Sequence, residues 1–449
     1  MAKLHDHPTV RALRERERSN PTPFTAAELR RLCLSLGVDD LGFVNIEREA
    51  VRDQRAEIEQ VLPGTRTLIS FVLRMNRDSI RSPARSVANL EFHHTGDETN
   101  AVARRIVSAL QDAGHRALNP SMGFPMEMDR FPGKTWVVSH KPVAVAAGLG
   151  SIGIHRNLIH PRFGNFVLLG TVLTDLELSP EELGTPLDYN PCLECKLCVA
   201  ACPVGAIKPD GAFDFSACYT HNYREFMGGF TDFVSTVADS KSGREFRRRV
   251  SDAESTSMWQ SLSFGANYKA AYCLAVCPAG EDIIGPFLAD RKSFTKEVVR
   301  PLQAKEEPLY VLPGSDAEAH ALRRFPHKPV RHVGNGIRPS SIEGFLRGLS
   351  LTFQRDHAKA EGIELRVHFD FTGDEPREAT VVIEGPHLEV HEGHAGEAHL
   401  RVRADSRAWL DLLAGERKPL ALLLTRKLRI SGPAKLMAVF QGCFATDVS

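Results

Sequence analysis

Apolar residues recur at helical spacing from Ala26 to Leu36, directly after Thr25-Ala26-Ala27-Glu28, whose Thr and Glu are placed as in a capping box. Gly37 stops that helix, and Asp40 to Val44 reads as a strand. A short helix over 56–61 comes next. Pro63-Gly64 then turns the chain into Thr67 to Leu73, a continuous apolar run of the kind that fits a strand buried on both faces. A longer helix is predicted over 97–113 with Gly114 as its stop, and Phe166 to Leu173 reads as another strand. Residues 1–20 form a polar lead-in. Helices alternating with apolar strands predict an α/β fold for this part.

The pattern changes after residue 340. Leu365 to Phe371 and Ala379 to Glu384 alternate with period two, as half-buried strands do. Leu388 to Val390, Ala398 to Val402 and Leu428 to Ile430 extend the same sheet, and helices are predicted over 340–354, 406–414 and 434–440. This is a separate α+β domain. Between the two, Pro180 and Pro186 lead into a cysteine-rich module, and 300–339, rich in Pro, His, Gly and charge without sustained periodicity, reads as a linker. The expected division is 1–185, 186–299, 300–337 and 338–449.

A chain of 449 residues suits two to three domains. Fifty-six basic and fifty-six acidic residues balance, so total charge favours neither nucleic acid nor an anionic membrane. The N-terminus is charged throughout and lacks the apolar centre of a signal peptide, and no apolar run approaches a membrane span. A soluble cytoplasmic protein is expected. Nine cysteines, an odd number, then point to reduced, metal-bound thiolates rather than disulfides. Cys33 and Cys443 lie in apolar surroundings and read as packed core thiols.

The other seven have cluster spacing. Cys192, Cys195, Cys198 and Cys202 stand at C-x2-C-x2-C-x3-C followed by Pro203, and Cys218, Cys273 and Cys277 return downstream, the last followed by Pro278. By the ferredoxin rule, Cys192, Cys195 and Cys198 share one [4Fe–4S] cluster with Cys277, while Cys202 joins Cys218 and Cys273 at a second. Zinc sites space two cysteine pairs more widely, which argues against zinc. A complete second motif puts a cysteine at 270, where the chain has Ala270. A non-cysteine ligand such as His221, an open iron, or a cluster of lower iron content remain three alternatives.

Gly148-Leu149-Gly150-Ser151-Ile152-Gly153 matches G-x-G-x-x-G only superficially, since small helical residues precede it and Pro161 to Gly164 interrupt the stretch after it. A tight turn and a close approach to a flat ligand both suit these glycines.

The order PGTRTLISFVLRM, AAGLGSIG, FGNFVLLGTVLTDLEL, CLECKLCVAACPVGAI and the C-x3-CP return resembles the epoxyqueuosine reductase and reductive dehalogenase superfamily over residues 25–290. That resemblance implies a corrinoid-reductase-like α/β domain with a ferredoxin-like two-cluster module. It further implies a bound cobalamin near Gly148, Leu149, Gly150 and Ser151, and an electron donor such as a flavodoxin or ferredoxin. Its catalytic aspartate has no match here, where Gly133 to His140 stand in the corresponding stretch, leaving Asp129 or His140 as the candidate proton donor. HFDFTGDEPREATVVIEGPHLEV, ADSRAWLDLLAGE and KLRISGPAKLMAVFQGCF resemble a sterol-carrier-protein domain over 338–445, which implies an apolar small molecule or lipid in a tunnel partly lined by Leu420 to Leu424. Two functions are compatible with these features: an oxidoreductase reducing an organic substrate, or a non-catalytic electron carrier whose C-terminal domain binds a lipid or partner.

Overall fold

The computed structural model describes residues 7–16, 21–192 and 194–444. Half of the polar lead-in over 1–20 therefore lies outside the described residues, as do Leu193 and 445–449. Helix α1 (Ala26–Ser35) begins behind the expected capping box: the Thr25 hydroxyl accepts from the Glu28 amide at 3.3 Å, and the Thr25 amide donates to the Glu28 carboxylate at 2.9 Å. It leads into β1 (Asp40–Asn45), α2 (Arg52–Val61) and β2 (Thr67–Arg74). Then come α3 (Arg85–Asp112), β3 (Ala117–Leu118), α4 (His140–Ala146) and β4 (Val167–Thr174).

The sheet order is β1-β2-β4-β3, and every pairing is antiparallel. That corrects the α/β expectation. The apolar run over β2 reports burial on both faces, not strand direction. Ile69, Phe71 and Leu73 pack with Leu29, Val102, Ile106 and Leu110, while Leu68 and Val72 pack on the other side with Ile58, Val143 and Ala144. An antiparallel sheet commonly leaves one face to water; this one is enclosed by helices on two sides.

Helix α3 starts twelve residues earlier than its apolar spacing suggests. Its first half buries polar groups, which periodicity does not register. Asn89 donates to the Asn267 side chain at 2.7 Å and accepts from the Tyr268 amide at 3.1 Å, and a His93 ring nitrogen lies 2.7 Å from the Ala266 carbonyl. The segment leading to the second cysteine return is thus held by the N-terminal domain.

The stretch over 300–337 is not a passive linker. It folds as β5 (Leu309–Val311), α5 (Asp316–Arg324) and β6 (Val330–His332), the two strands pairing in parallel, with Leu302, Val311 and Ala317 in the core of the cysteine module. Three-residue strands are too short to show a period.

The C-terminal domain is a five-stranded sheet that comes after helices α6 (Ile342–Thr352) and α7 (Arg355–Ala360). Its strands are β7 (Glu364–Thr372), β8 (Arg377–Glu384), β9 (His387–Glu392), β10 (Leu400–Asp405) and β11 (Leu428–Ser431), in the order β9-β8-β7-β10-β11. Phe345, Phe369, Phe371, Trp409 and Phe440 fill its interior. Leu420 to Leu424 forms a short helix in which Leu422 is buried but Leu420 and Leu424 are 67% and 77% exposed.

This domain docks on the cysteine module through α7. Lys208 donates to Asp356 and Arg355 to Asp210, each at 2.7 Å, and Asp316 accepts from the amides of Asp356 and His357 at 2.7 and 2.9 Å. Asp316 is a buried side chain capping a helix of the other domain. Asp316→Ala is expected to cost about 1–2 kcal/mol, as lost helix caps do, and to expose the junction over 325–355 to faster cleavage in limited proteolysis.

Candidate metal centre

Two short helices present the cysteines. Helix α8 (Leu197–Ala201) and helix α9 (Tyr272–Val276) pack on each other within one apolar cluster, and each starts from a left-handed residue: Lys196 at φ 52°, ψ 20° and Ala271 at φ 52°, ψ 27°. Each ends on a cysteine in extended backbone, Cys202 at φ −66°, ψ 113° and Cys277 at φ −67°, ψ 125°. The two segments match in register, Cys198 with Cys273 and Cys202 with Cys277. Each proline after the last cysteine falls where the helix has already stopped.

Within this pair the thiols separate into two sets. Cys192, Cys195, Cys198 and Cys277 line one cavity together with Ile154, His155 and Ile159, and the Ile154 amide donates to the Cys192 sulfur at 3.4 Å. The other three, Cys202, Cys218 and Cys273, lie close enough to influence one another electrostatically, and Cys273 also acts on Cys198 and Cys277 of the first set. The Ala206 amide donates to the Cys202 sulfur at 3.3 Å. Burial, then neighbouring sulfur, pushes the Cys218 thiol well up and the Cys273 thiol up to about 12. Cys277 is likewise raised to about 12, chiefly by burial. Buried, converging thiols at such values hold protons at neutral pH, and a soft cation displaces those protons on binding. The donor set therefore fits iron–sulfur clusters.

Three cations surround the sulfurs, and sequence reasoning missed all three. The Arg81 guanidinium donates to the Ala275 carbonyl at 3.2 Å with its charge near Cys277, and Arg85 lies over the Tyr272 ring with its charge near Cys273. The Lys141 ammonium donates to the Arg156 carbonyl at 2.6 Å and acts on Cys273 and Cys218. Positive charge at these places offsets the negative charge of thiolate-bound iron. Arg81 ends one helix and Arg85 starts the next, with Pro83 between them, so no helical spacing in the sequence signals the pair.

The remaining candidates are placed differently. Gly148 has φ +77°, and a Cβ there meets the Thr185 carbonyl oxygen at 2.5 Å; one on Gly150 meets that of Ile159 at 2.3 Å. Leu149 is buried in the domain core, and Ser151 sits on a two-residue strand paired with Ile159. The glycines thus accommodate the chain's own backbone. His140 has both ring nitrogens engaged, with Thr171 Oγ1 at 2.8 Å and the Ser121 carbonyl at 3.0 Å, and burial lowers its pKa. Asp129 is exposed on the turn Met128–Arg130.

Two family models match parts of the chain. A 4Fe-4S binding domain model matches residues 185–208, and the SCP-2 sterol transfer family matches 351–445. An epoxyqueuosine reductase of Gloeobacter violaceus is 31% identical over 169 residues, 38% of this chain and 50% of that protein. Another, of Synechococcus sp. strain RCC307, is 30% identical over 37% of this chain and 48% of its own length. The chain thus spans about half the length of the curated relatives it matches. A solved reductive dehalogenase described as B12-dependent shares 16% identity over 62% of this chain and 35% of its own, with a TM-score of 0.38. No helix among the described residues is long and apolar enough to cross a membrane.

Proposed function

We propose that this chain is an iron–sulfur oxidoreductase that passes single electrons through two clusters to a further redox centre, for reduction of an organic substrate. The observation that carries this reading is the gathering of seven cysteines around one pair of matched helices, four of them lining one cavity. Iron–sulfur clusters at such sites store and release one electron at a time. The residues of the chain hold the thiolates in register, exclude water from them, and supply compensating charge from Arg81, Arg85 and Lys141. The similarity to epoxyqueuosine reductases supports a catalytic end to this path.

Cobalamin is the acceptor that this similarity suggests. The residues carried over for it, Gly148 to Ser151, do not fit a corrinoid, because the space beside both glycines is filled by backbone oxygens. His140, locked between Thr171 and Ser121, suits a positioning role better than proton donation, and Asp129 is exposed on the surface. An apolar substrate or lipid is assigned to the C-terminal domain, and a flavodoxin or ferredoxin serves as electron donor.

The alternative is a carrier without chemistry of its own, which the absent catalytic aspartate favours. Anaerobic turnover separates the two. Chemically reduced holoprotein, supplied with excess reductant and candidate organic acceptors, is expected to consume acceptor over many cycles. Oxidation limited to the electrons stored on the clusters, whatever acceptor is offered with or without added cobalamin, overturns the enzyme reading in favour of the carrier.

A further inference from the structure

The two cysteine helices differ at one equivalent position. With Cys198 matched to Cys273 and Cys202 to Cys277, the residue equivalent to Cys195 is Ala270, and each of these two immediately precedes its left-handed residue. The first set thus draws a thiolate from a backbone position at which the second set has a methyl group. Ala270 is 6% exposed, and its amide donates to the Asn222 side-chain oxygen at 3.0 Å, so the position is fixed and closed.

The other donors around the second set are not available as ligands. The Tyr310 amide donates to His221 Nδ1 at 3.3 Å, and the ring stacks on Tyr310 beside Lys269, Glu307 and Lys328. His221 Nε2 is buried without a hydrogen-bond partner; because Nδ1 accepts, the neutral ring carries its proton on Nε2, which leaves no lone pair there for iron. The Asp214 carboxylate accepts from the Ala217 amide at 2.9 Å as a helix cap. The Lys141 ammonium donates to the Arg156 carbonyl. Tyr223, near Cys218 and Cys273, is packed among Tyr219, Phe226 and Tyr268, where burial keeps its phenol neutral.

We infer that the second centre is a three-iron cluster, [3Fe–4S], bound by Cys202, Cys218 and Cys273, with Ala270 leaving the fourth corner without a ligand. This rests on the reading of the cysteines as cluster ligands. Three thiolates match three irons one to one, whereas a complete cube leaves one iron with no protein donor in a closed site. The charge agrees as well. An oxidised three-iron core with three thiolates carries the same net charge as an oxidised four-iron core with four, so both sets present equal demands to the cations around them.

The test uses the full chain, purified anaerobically without added iron or sulfide and oxidised with a stoichiometric amount of a mild dye such as thionine, which does not strip iron from a cube, and reads iron content and electron paramagnetic resonance. About seven irons per chain are expected, with an oxidised-state signal integrating to about one spin, because an oxidised three-iron cluster is paramagnetic and an oxidised four-iron cluster is not. Ala270→Cys is expected to raise iron to about eight and abolish the signal. About eight irons and a silent oxidised state in the unmodified protein overturn the inference while leaving the cluster reading intact. About four irons or none overturn the two-cluster reading itself. A paramagnetic, seven-iron protein unchanged by Ala270→Cys overturns the assignment of the open corner to residue 270. Should that variant not fold, iron count and spin of the unmodified chain decide.

Discussion

Cys277→Ala is expected to empty the four-thiolate site, lowering iron by about four atoms per chain and loosening the module around it. Cys277 is the one ligand of its set that comes from the second cysteine return, so it ties helix α9 to the loop carrying Cys192 and Cys195. Without it three sulfurs remain around a cavity, only that of Cys198 on a buried residue, and the cluster loses the contact that joins the two halves. Metal-site free energies in small metallodomains run on the order of 10 kcal/mol, well above what the small apolar cluster of Ile159, Cys277 and Ala279 supplies. Iron assay, visible absorbance and protease sensitivity check the loss. Cys33→Ala and Cys443→Ala serve as controls: both thiols are fully buried in other cores, and each variant is expected to keep full iron. Full iron in Cys277→Ala, or loss in the controls, contradicts the assigned ligand set.

Much of this site was legible because ligand chemistry is written in spacing. The cysteines were grouped from C-x2-C-x2-C-x3-C-P and its return, and Cys192, Cys195, Cys198 and Cys277 line one cavity. Helix starts with side-chain caps were legible too, as at Thr25, and so was the period-two alternation of β7 and β8. Strand direction was not, since a run such as Thr67 to Leu73 records only how much of a strand is covered. The first half of α3 stayed hidden because Asn89, His93 and Thr95 face polar partners more than a hundred and fifty residues away or a turn along the helix. The cations at Arg81, Arg85 and Lys141 were equally hidden, because ordinary-looking surface charges become site residues only through tertiary contact.

The glycine of FGNF, Gly164, illustrates the same boundary, and the second large effect is expected there. Gly164 has φ +65°, and a Cβ on it comes within 1.9 Å of the Ala279 carbonyl oxygen and 2.5 Å of the Ile283 side chain. Gly280, at φ +122°, faces it so closely that its own Cβ meets the Gly164 nitrogen at 2.3 Å. Two glycines therefore interlock, the second of them three residues beyond Cys277. Around them the loops are joined by backbone bonds, the Glu281 amide donating to the Pro161 carbonyl at 2.9 Å and the Asp282 amide to Arg162 at 3.0 Å. Gly164→Ala cannot relieve its contact by rotating a side chain, since the obstructing atom is backbone. The left-handed conformation adds about 1–2 kcal/mol, and forced repacking about 1–3 kcal/mol. The loops are expected to separate and carry Cys277 out of its set, so that iron falls as in Cys277→Ala although every thiol is retained. Gly348→Ala, inside helix α6 with open space beside its Cα, is expected to keep full iron and gain about 0.5–1 kcal/mol from helix propensity. Full iron and unchanged stability in Gly164→Ala mean that the interlock does not hold the cysteine return in place, and that the thiolates alone position Cys277.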